Sequence, residues 1–254
     1  MPAVEGLTAL AVPGLPEVEP GADIGALAAP ALVRAGLTAG DVVAVAHKII
    51  SKAEGCVRAL GEVTAGPRAR ELAARLDKDP RQVQVVLDES LEVLRAERGV
   101  LICVTHHGFV CANAGVDASN LAGHDQLLTL PRDPDRSARA LRHRLRELTG
   151  VAPAVIVTDS FGRAWRHGQS EVAIGCAGLA PLEDWRGRTD YAGRELRATW
   201  IAVADQLAAA ADLARSKDAR LPVVVIRGAG RHVIADDGPG AQALVRPESE
   251  DLFR

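Results

Sequence analysis

The sequence predicts an α+β fold in which mixed sheets are packed by helices, and two observations carry that prediction. Short apolar runs bounded by breakers, at Val42–Ala46, Val100–Val104, Ala154–Val157, Val172–Ile174 and Val223–Ile226, read as buried strands. Between them lie longer segments whose apolar residues recur at helical spacing. No repeat or low-complexity linker divides the 254 residues, so a single domain over 1–254 is expected. Its ordered core is expected over 1–228, with 229–254 a loosely ordered tail.

Along the chain, Pro13, Gly14, Pro16, Pro20 and Gly21 interrupt the first segment, which suits one strand followed by an irregular loop. Asp23 caps a helix over Ile24–Ala35, in which Pro30 removes a backbone donor and predicts a kink or two short pieces. After the strand Val42–Ala46 comes His47-Lys48-Ile49-Ile50-Ser51-Lys52, placing two lysines at a strand end. Such lysines suit a phosphate, although the Gly-rich run of a Walker A loop is missing, and a solvated lysine face is the alternative. Pro67 opens a helix to Leu76, and Asp79-Pro80 opens another to Glu97 with Val83, Val86, Leu87, Leu91 and Leu94 as its apolar stripe. Asp133-Pro134 starts a further helix ending before Gly150, with Arg136, Arg139, Arg142, Arg144 and Arg146 on a solvated or ion-paired face. Residues 183–196 form an exposed charged loop suited to closing over a site, and an Ala-rich helix follows over Ile201–Ala214.

Composition excludes several roles. Aromatic residues make up only 3% and the net charge is −3, so neither stacking platforms nor a polycationic surface for nucleic acid is expected. No apolar stretch approaches the roughly 18 residues of a membrane span, and no secretion signal opens the chain, which predicts a cytoplasmic protein without a membrane partner. The four cysteines, Cys56, Cys103, Cys111 and Cys176, show no C-x-x-C spacing, so neither a zinc site nor a disulfide framework is expected.

Two segments carry the chemistry. The run Val100–Val104 leads into His106–Asn120, where small residues alternate with Asn, Asp and Ser; Ala154–Val157 leads into Thr158-Asp159-Ser160-Phe161-Gly162-Arg163. Each delivers one aspartate, Asp117 or Asp159, from a strand end. Convergence of the two on one hard cation is the expectation, since Mg²⁺ and Mn²⁺ take carboxylate and hydroxyl oxygens. Turn formation and helix capping are the bland alternative for either segment alone.

Gly14-Leu15-Pro16, Ile50-Ser51-Lys52-Ala53-Glu54-Gly55, His107–Asp117, Ser119-Asn120, Thr158–Arg163 and Ala173-Ile174-Gly175 occur in an order that resembles the coenzyme F420-0:gamma-glutamyl ligases. The resemblance spans residues 10–228. It implies an intertwined homodimer of the gamma-glutamyl ligase type that uses GTP to add L-glutamate to a deazaflavin precursor, with up to two Mg²⁺ or Mn²⁺ ions and K⁺ as an activator. Carried over by position, it makes Asp117, Asp159 and Lys52 catalytic, with Asp117 and Asp159 holding one metal and Ser160 touching a second. It places Gly14, Leu15, Pro16, Glu17, His47, Lys52 and Asn120 at GTP, together with Ser216, Lys217 and Asp218 of the loop after the Ala-rich helix. Ser160 is not a nucleophile on this reading, because no Gly-x-Ser-x-Gly elbow surrounds it.

Two departures stand out. Some relatives supply a metal-binding Glu from that loop, whereas Arg215-Ser216-Lys217-Asp218-Ala219-Arg220-Leu221 has neither Glu nor Gly. One firmly held divalent ion, on Asp117 and Asp159, is therefore expected, and a second that is weak or appears only with GTP bound; two tight ions without nucleotide would mean that another carboxylate, Asp218 the nearest, replaces the missing ligand. Some relatives also continue beyond Glu-Asp-Leu-Phe-Arg into a flavin-binding, nitroreductase-like domain, so either a free-standing ligase or the first domain of a longer chain is expected. The rival classes are a metal-dependent phosphohydrolase of a nucleotide or phosphorylated small molecule, and a nucleotide-binding regulatory protein.

Overall fold

The structure, a computed structural model, describes residues 6–119, 125–216 and 218–252. The elements run β1 (Thr8–Ala11), α1 (Ile24–Arg34), β2 (Val42–Ala46), α2 (His47–Ala53), β3 (Val57–Ala59), α3 (Pro67–Leu76), α4 (Pro80–Asp88), β4 (Ser90–Glu97), β5 (Val100–Thr105) and β6 (Val110–Ala112). They continue through β7 (Gln126–Leu128), α5 (Pro134–Thr149), β8 (Ala154–Arg163), β9 (Arg166–Ala177), β10 (Leu182–Asp184), β11 (Trp200–Ala202), α6 (Val203–Leu213) and β12 (Val223–Arg227). The fold is mixed α+β with several sheets, as the apolar runs predict.

A five-stranded sheet in the order β1-β12-β2-β8-β9 forms the centre. Alternation along its strands sorts the side chains between two layers. Val43, Val45, Val155, Val157, Val223 and Val225 face the helices α1 and α5. Val42, Ala44, Ala154, Ile156, Val224 and Ile226 face α6. Strands buried on both sides explain why these segments read as unbroken apolar runs. A smaller sheet, β4-β5-β6, packs Val93, Ala96, Leu101 and Cys103 against Leu72, Leu76, Val83 and Val86 of α3 and α4.

Three expectations change. The helix expected over 24–35 runs as one element and not as two short pieces, with Pro30 on its exposed side, where solvent can satisfy the carbonyl that the proline leaves unbonded. The helix expected to reach Glu97 stops at Asp88, and β4 pairs with β5 across a two-residue turn. Arg98 (φ 52°) and Gly99 (φ 75°) form that turn, which has two left-handed residues as a type I′ hairpin requires. Thr158–Arg163 is not a loop after a strand but the second half of β8, which runs on into a hairpin with β9. The segment 183–196 leaves the central sheet beyond Ala177, which pairs with Val155 near the start of β8, so the chain enters it from the end opposite the α2 start.

The tail is also packed. Asp135, buried in the first turn of α5, accepts from Cys176 N at 2.8 Å, Ala241 N at 2.7 Å and Gln242 N at 3.3 Å. Arg142, read as part of a surface stripe, is buried and donates to Pro153 O, Ala235 O and Asp237 Oδ1. One helix face thus clamps residues 234–242 against the sheet. Among the described residues no helix is long and apolar enough to cross a membrane.

Candidate active site

Strand direction decides where the candidate residues meet. β2 and β8 are parallel, with Ala46 opposite Thr158, and β1 runs the same way because each is antiparallel to β12. The ends of β1, β2 and the first half of β8 therefore share one end of the sheet with the loop entering β12. Val12 N donates to Val223 O and Ala46 N to Pro222 O, which ties the edges of this end together. Ligand sites of α/β sheets form at such strand ends.

Helix α2 starts there without an intervening loop. His47 is buried; its Nδ1 shares a 3.2 Å contact with Ser51 Oγ and its Nε2 lies 3.3 Å from Asp159 Oδ1. That approach is too poorly aligned to count as a hydrogen bond, so Nε2 is a buried polar atom without a hydrogen-bond partner. The next residue, Lys48, reaches Asp117 Oδ2 at 2.6 Å and Ser119 Oγ at 2.5 Å. Two consecutive residues of one helix thus approach the two motif aspartates, one each. Lys52, one turn on and on the same face as Lys48, pairs with Glu17.

Each aspartate is aimed by irregular backbone. Before Asp117, Asn113 (φ 51°), Ala114 (φ 52°) and Gly115 (φ 72°) are all left-handed. A buried alanine in that region is strained, and strain of this kind gathers at functional loops. Gly115 is required: a Cβ there would lie 2.7 Å from Leu130 Cγ. Before Asp159, the β8–β9 register shifts between Val157 and Thr158. A bulge at that point re-aims the following side chains.

Electrostatics follow from these contacts. Burial pushes the Asp117 carboxyl up, but hydrogen bonds from Lys48 and Ser119 with the lysine charge outweigh it and hold the group below the usual carboxylate range. Cys111 on β6 is pushed up to about 12, first by burial and then by the charge of Asp159, which places that aspartate against the smaller sheet.

Ser160 looks to a third cluster. Its hydroxyl donates to Glu171 Oε1 at 2.6 Å across the hairpin, and Arg215 Nη2 donates to Glu171 Oε2 at 3.3 Å and to Thr158 Oγ1 at 3.0 Å. Arg215 and Glu171 are each 8% exposed.

Gly14 (φ 92°), Leu15, Pro16, Glu17, His47, Lys52, Asp117, Asp159 and Ser160 are thus gathered at one end of the sheet. Ser216 and Asp218 hydrogen-bond to each other in the exposed loop leading to β12 at that end. Asn120 and Lys217 lie outside the described residues. Lys48 entered the sequence reading as one of two strand-end lysines and Arg215 as part of the loop after the Ala-rich helix, without their partners; Glu171 was not singled out, because its pairing with Ser160 depends on a bulged register.

Among the described residues no three His, Cys, Asp or Glu side chains already form a metal-holding group. Asp117 and Asp159, with Ser119 Oγ beside the first, are nonetheless hard oxygen donors brought to one helix start. A sequence model of the F420-0:gamma-glutamyl ligase family matches residues 14–228, which contain every residue of this arrangement. The chain belongs to the F420-0:gamma-glutamyl ligase family. Family relatives named coenzyme F420:L-glutamate ligase occur in Methanothermobacter thermautotrophicus, 44% identical over 98% of this chain and 99% of the relative. Others occur in Methanopyrus kandleri, 45% identical over 98% and 99%, and in Halobacterium salinarum, 46% identical over 97% and 95%.

Proposed function

We propose that the protein is a ligase that joins L-glutamate to the deazaflavin precursor F420-0 and then adds gamma-linked glutamates, using GTP and releasing GDP and phosphate. The observation that carries this reading is the delivery of Asp117 and Asp159 to consecutive residues of α2, with two lysines on the adjoining face, in a chain of this family.

An acceptor carboxylate and an amine do not condense in water, so the carboxylate oxygen first takes the γ-phosphoryl group as the bond to GDP breaks. The glutamate amine then attacks the acyl carbon, the C–O bond to phosphate breaks, and the amine proton leaves to solvent. Phosphoryl transfer is accelerated chiefly by positioning and charge neutralisation, which the α2 lysines supply from this chain. Lys48 and Lys52 are held by Asp117 and Glu17 in the free protein, and the same ammonium groups would meet phosphate oxygens. Gly14 to Glu17, together with Ser216 and Asp218, would lie along the nucleotide. Asp117 and Asp159 would hold Mg²⁺ or Mn²⁺, which supplies Lewis-acid stabilisation of the phosphate charge. K⁺ is a further expected activator.

Mass spectrometry of the deazaflavin after incubation with GTP, Mn²⁺, K⁺ and glutamate is expected to show products heavier by whole glutamyl residues, with GDP formed in step. GDP released without glutamate would instead mark a phosphohydrolase, and nucleotide binding without turnover a regulatory protein.

We also propose a homodimer. Leu91, Leu94, Val100 and Val110 leave apolar side chains exposed on the β4-β5-β6 sheet, and Trp165 is exposed at the tip of the β8–β9 hairpin. Exposed apolar side chains gathered on one small sheet suit an interface. Light scattering at micromolar concentration is expected to give twice the chain mass, with an obligate interface above about 2,000 Å² in total; a monomeric mass would sink the proposal.

A further inference from the structure

A buried ion pair between Arg215 and Glu171 stands beside the Asp159–Ser160 strand, and the reaction proposed above does not use it. Both side chains are 8% exposed, and both oxygens of the carboxylate are engaged. Oε1 takes the Ser160 hydroxyl proton and Oε2 takes the guanidinium, which also donates to Thr158 Oγ1. The Nε of Arg215 is buried without a hydrogen-bond partner.

The guanidinium compensates the Glu171 carboxylate, so the negative charge that would draw a cation to this side of the site is already neutralised by a side chain of the protein. A divalent ion on Ser160 would need an anionic oxygen beside the hydroxyl. In the hairpin register that oxygen belongs to Glu171, directly opposite Ser160. Bringing the ion in means displacing Arg215, whose other side-chain partner among the described residues is the Thr158 hydroxyl. The guanidinium would then be an uncompensated buried charge, the arrangement folded proteins tolerate least. Asp218, the replacement carboxylate considered from sequence, is exposed and bonded to Ser216. These side chains therefore do not fit a second metal ion.

We propose that Arg215 is the resident cation of this side of the site, so that the protein holds one divalent ion, on Asp117 and Asp159, and orients Ser160 through Glu171 and Arg215 instead of through a second ion. This rests on the ligase reading given above, and Arg215 and Glu171 are positioning residues on it. The role is chemically specific: lysine at 215 keeps the charge but loses the planar fork, whereas glutamine loses the charge and leaves Glu171 free to bind metal.

The test is Mn²⁺ binding to the free protein, followed by electron paramagnetic resonance, with Mn²⁺ alone as the probe. The wild-type protein is expected to bind one ion per chain tightly. Arg215→Gln is expected to bind a second, and Arg215→Gln combined with Glu171→Gln to return to one. Two tight ions in the wild-type protein would overturn the proposal, and so would a folded Arg215→Gln variant that binds only one. Should Arg215→Gln not fold, Arg215→Lys, expected to bind one ion, and the charge-neutral double variant still decide, since two ions in either would refute it. Product mass spectrometry on the wild-type protein is independent of these counts. Loss of the ligase reading would appear there and leave the ion count standing.

Discussion

Asp159→Asn is expected to lower glutamate-dependent product formation by about 10²–10³-fold or more, and Asp117→Asn to do the same. Neither change should unfold the protein. An asparagine at 159 keeps an oxygen for Ser160 N, which Asp159 Oδ1 now binds at 2.7 Å, and an asparagine at 117 still accepts from Ser119 N. What each variant loses is one negative charge at a point where a cation and phosphates must be held together. The measurement is turnover by product mass spectrometry beside a thermal melt. Near wild-type turnover in either variant would remove that aspartate from the reaction, whereas a collapse of the melt would show that its role is structural.

Asp135→Ala is expected to be the most destabilising single change outside the site. Its carboxylate accepts from three backbone N–H groups, those of Cys176, Ala241 and Gln242, in a place closed to water. Truncation leaves these donors without partners, and each buried orphan costs about 1–3 kcal/mol. The sum is about 3–5 kcal/mol once partial relaxation is allowed, which corresponds to a fall of about 10 °C in Tm for a chain of this size. Faster amide exchange confined first to residues 234–242 would show that the clamp on the C-terminal segment fails before the sheet does. A Tm within about 2 °C of wild type would refute the assignment of Asp135 as the main anchor. Gly240 supports the same point: its φ is 81°, and a Cβ there would lie 2.4 Å from Asp135 Oδ2, so the chain must pass the carboxylate as glycine.

The family and its two aspartate-bearing motifs were legible from local signals. Asp117 and Asp159 each follow an apolar run, in motifs dense in small and polar residues, and Lys52 lies within two helical turns of a buried strand. Helix starts, and the end of α5, were legible for the same reason, since caps are set by neighbouring residues. Asp79 and Asp133 each accept a backbone N–H in the first turn of α4 and α5, and Gly150 closes α5 in a left-handed conformation. Where the reading failed, a distant partner had overruled a local pattern. Leu91 and Leu94 continue the helical stripe begun by Val83 and Val86, yet pairing with β5 makes them part of a strand. Thr158–Arg163 contains a glycine and turn-forming residues, yet β9 supplies a complete ladder for it.

By itself, then, the sequence determined the strand cores, the helix caps, the family and the two motif aspartates, because each is written in residues close together along the chain. Tertiary structure decided that Lys48 meets Asp117, that His47 faces Asp159, and that Glu171 and Arg215 bracket Ser160. Those pairs join residues far apart in the chain, up to 112 positions for His47 and Asp159, and they exist only because β2 and β8 run parallel and β8 bulges at Thr158. Strand direction and register are set by the packing of whole layers, and no local stretch of residues encodes them.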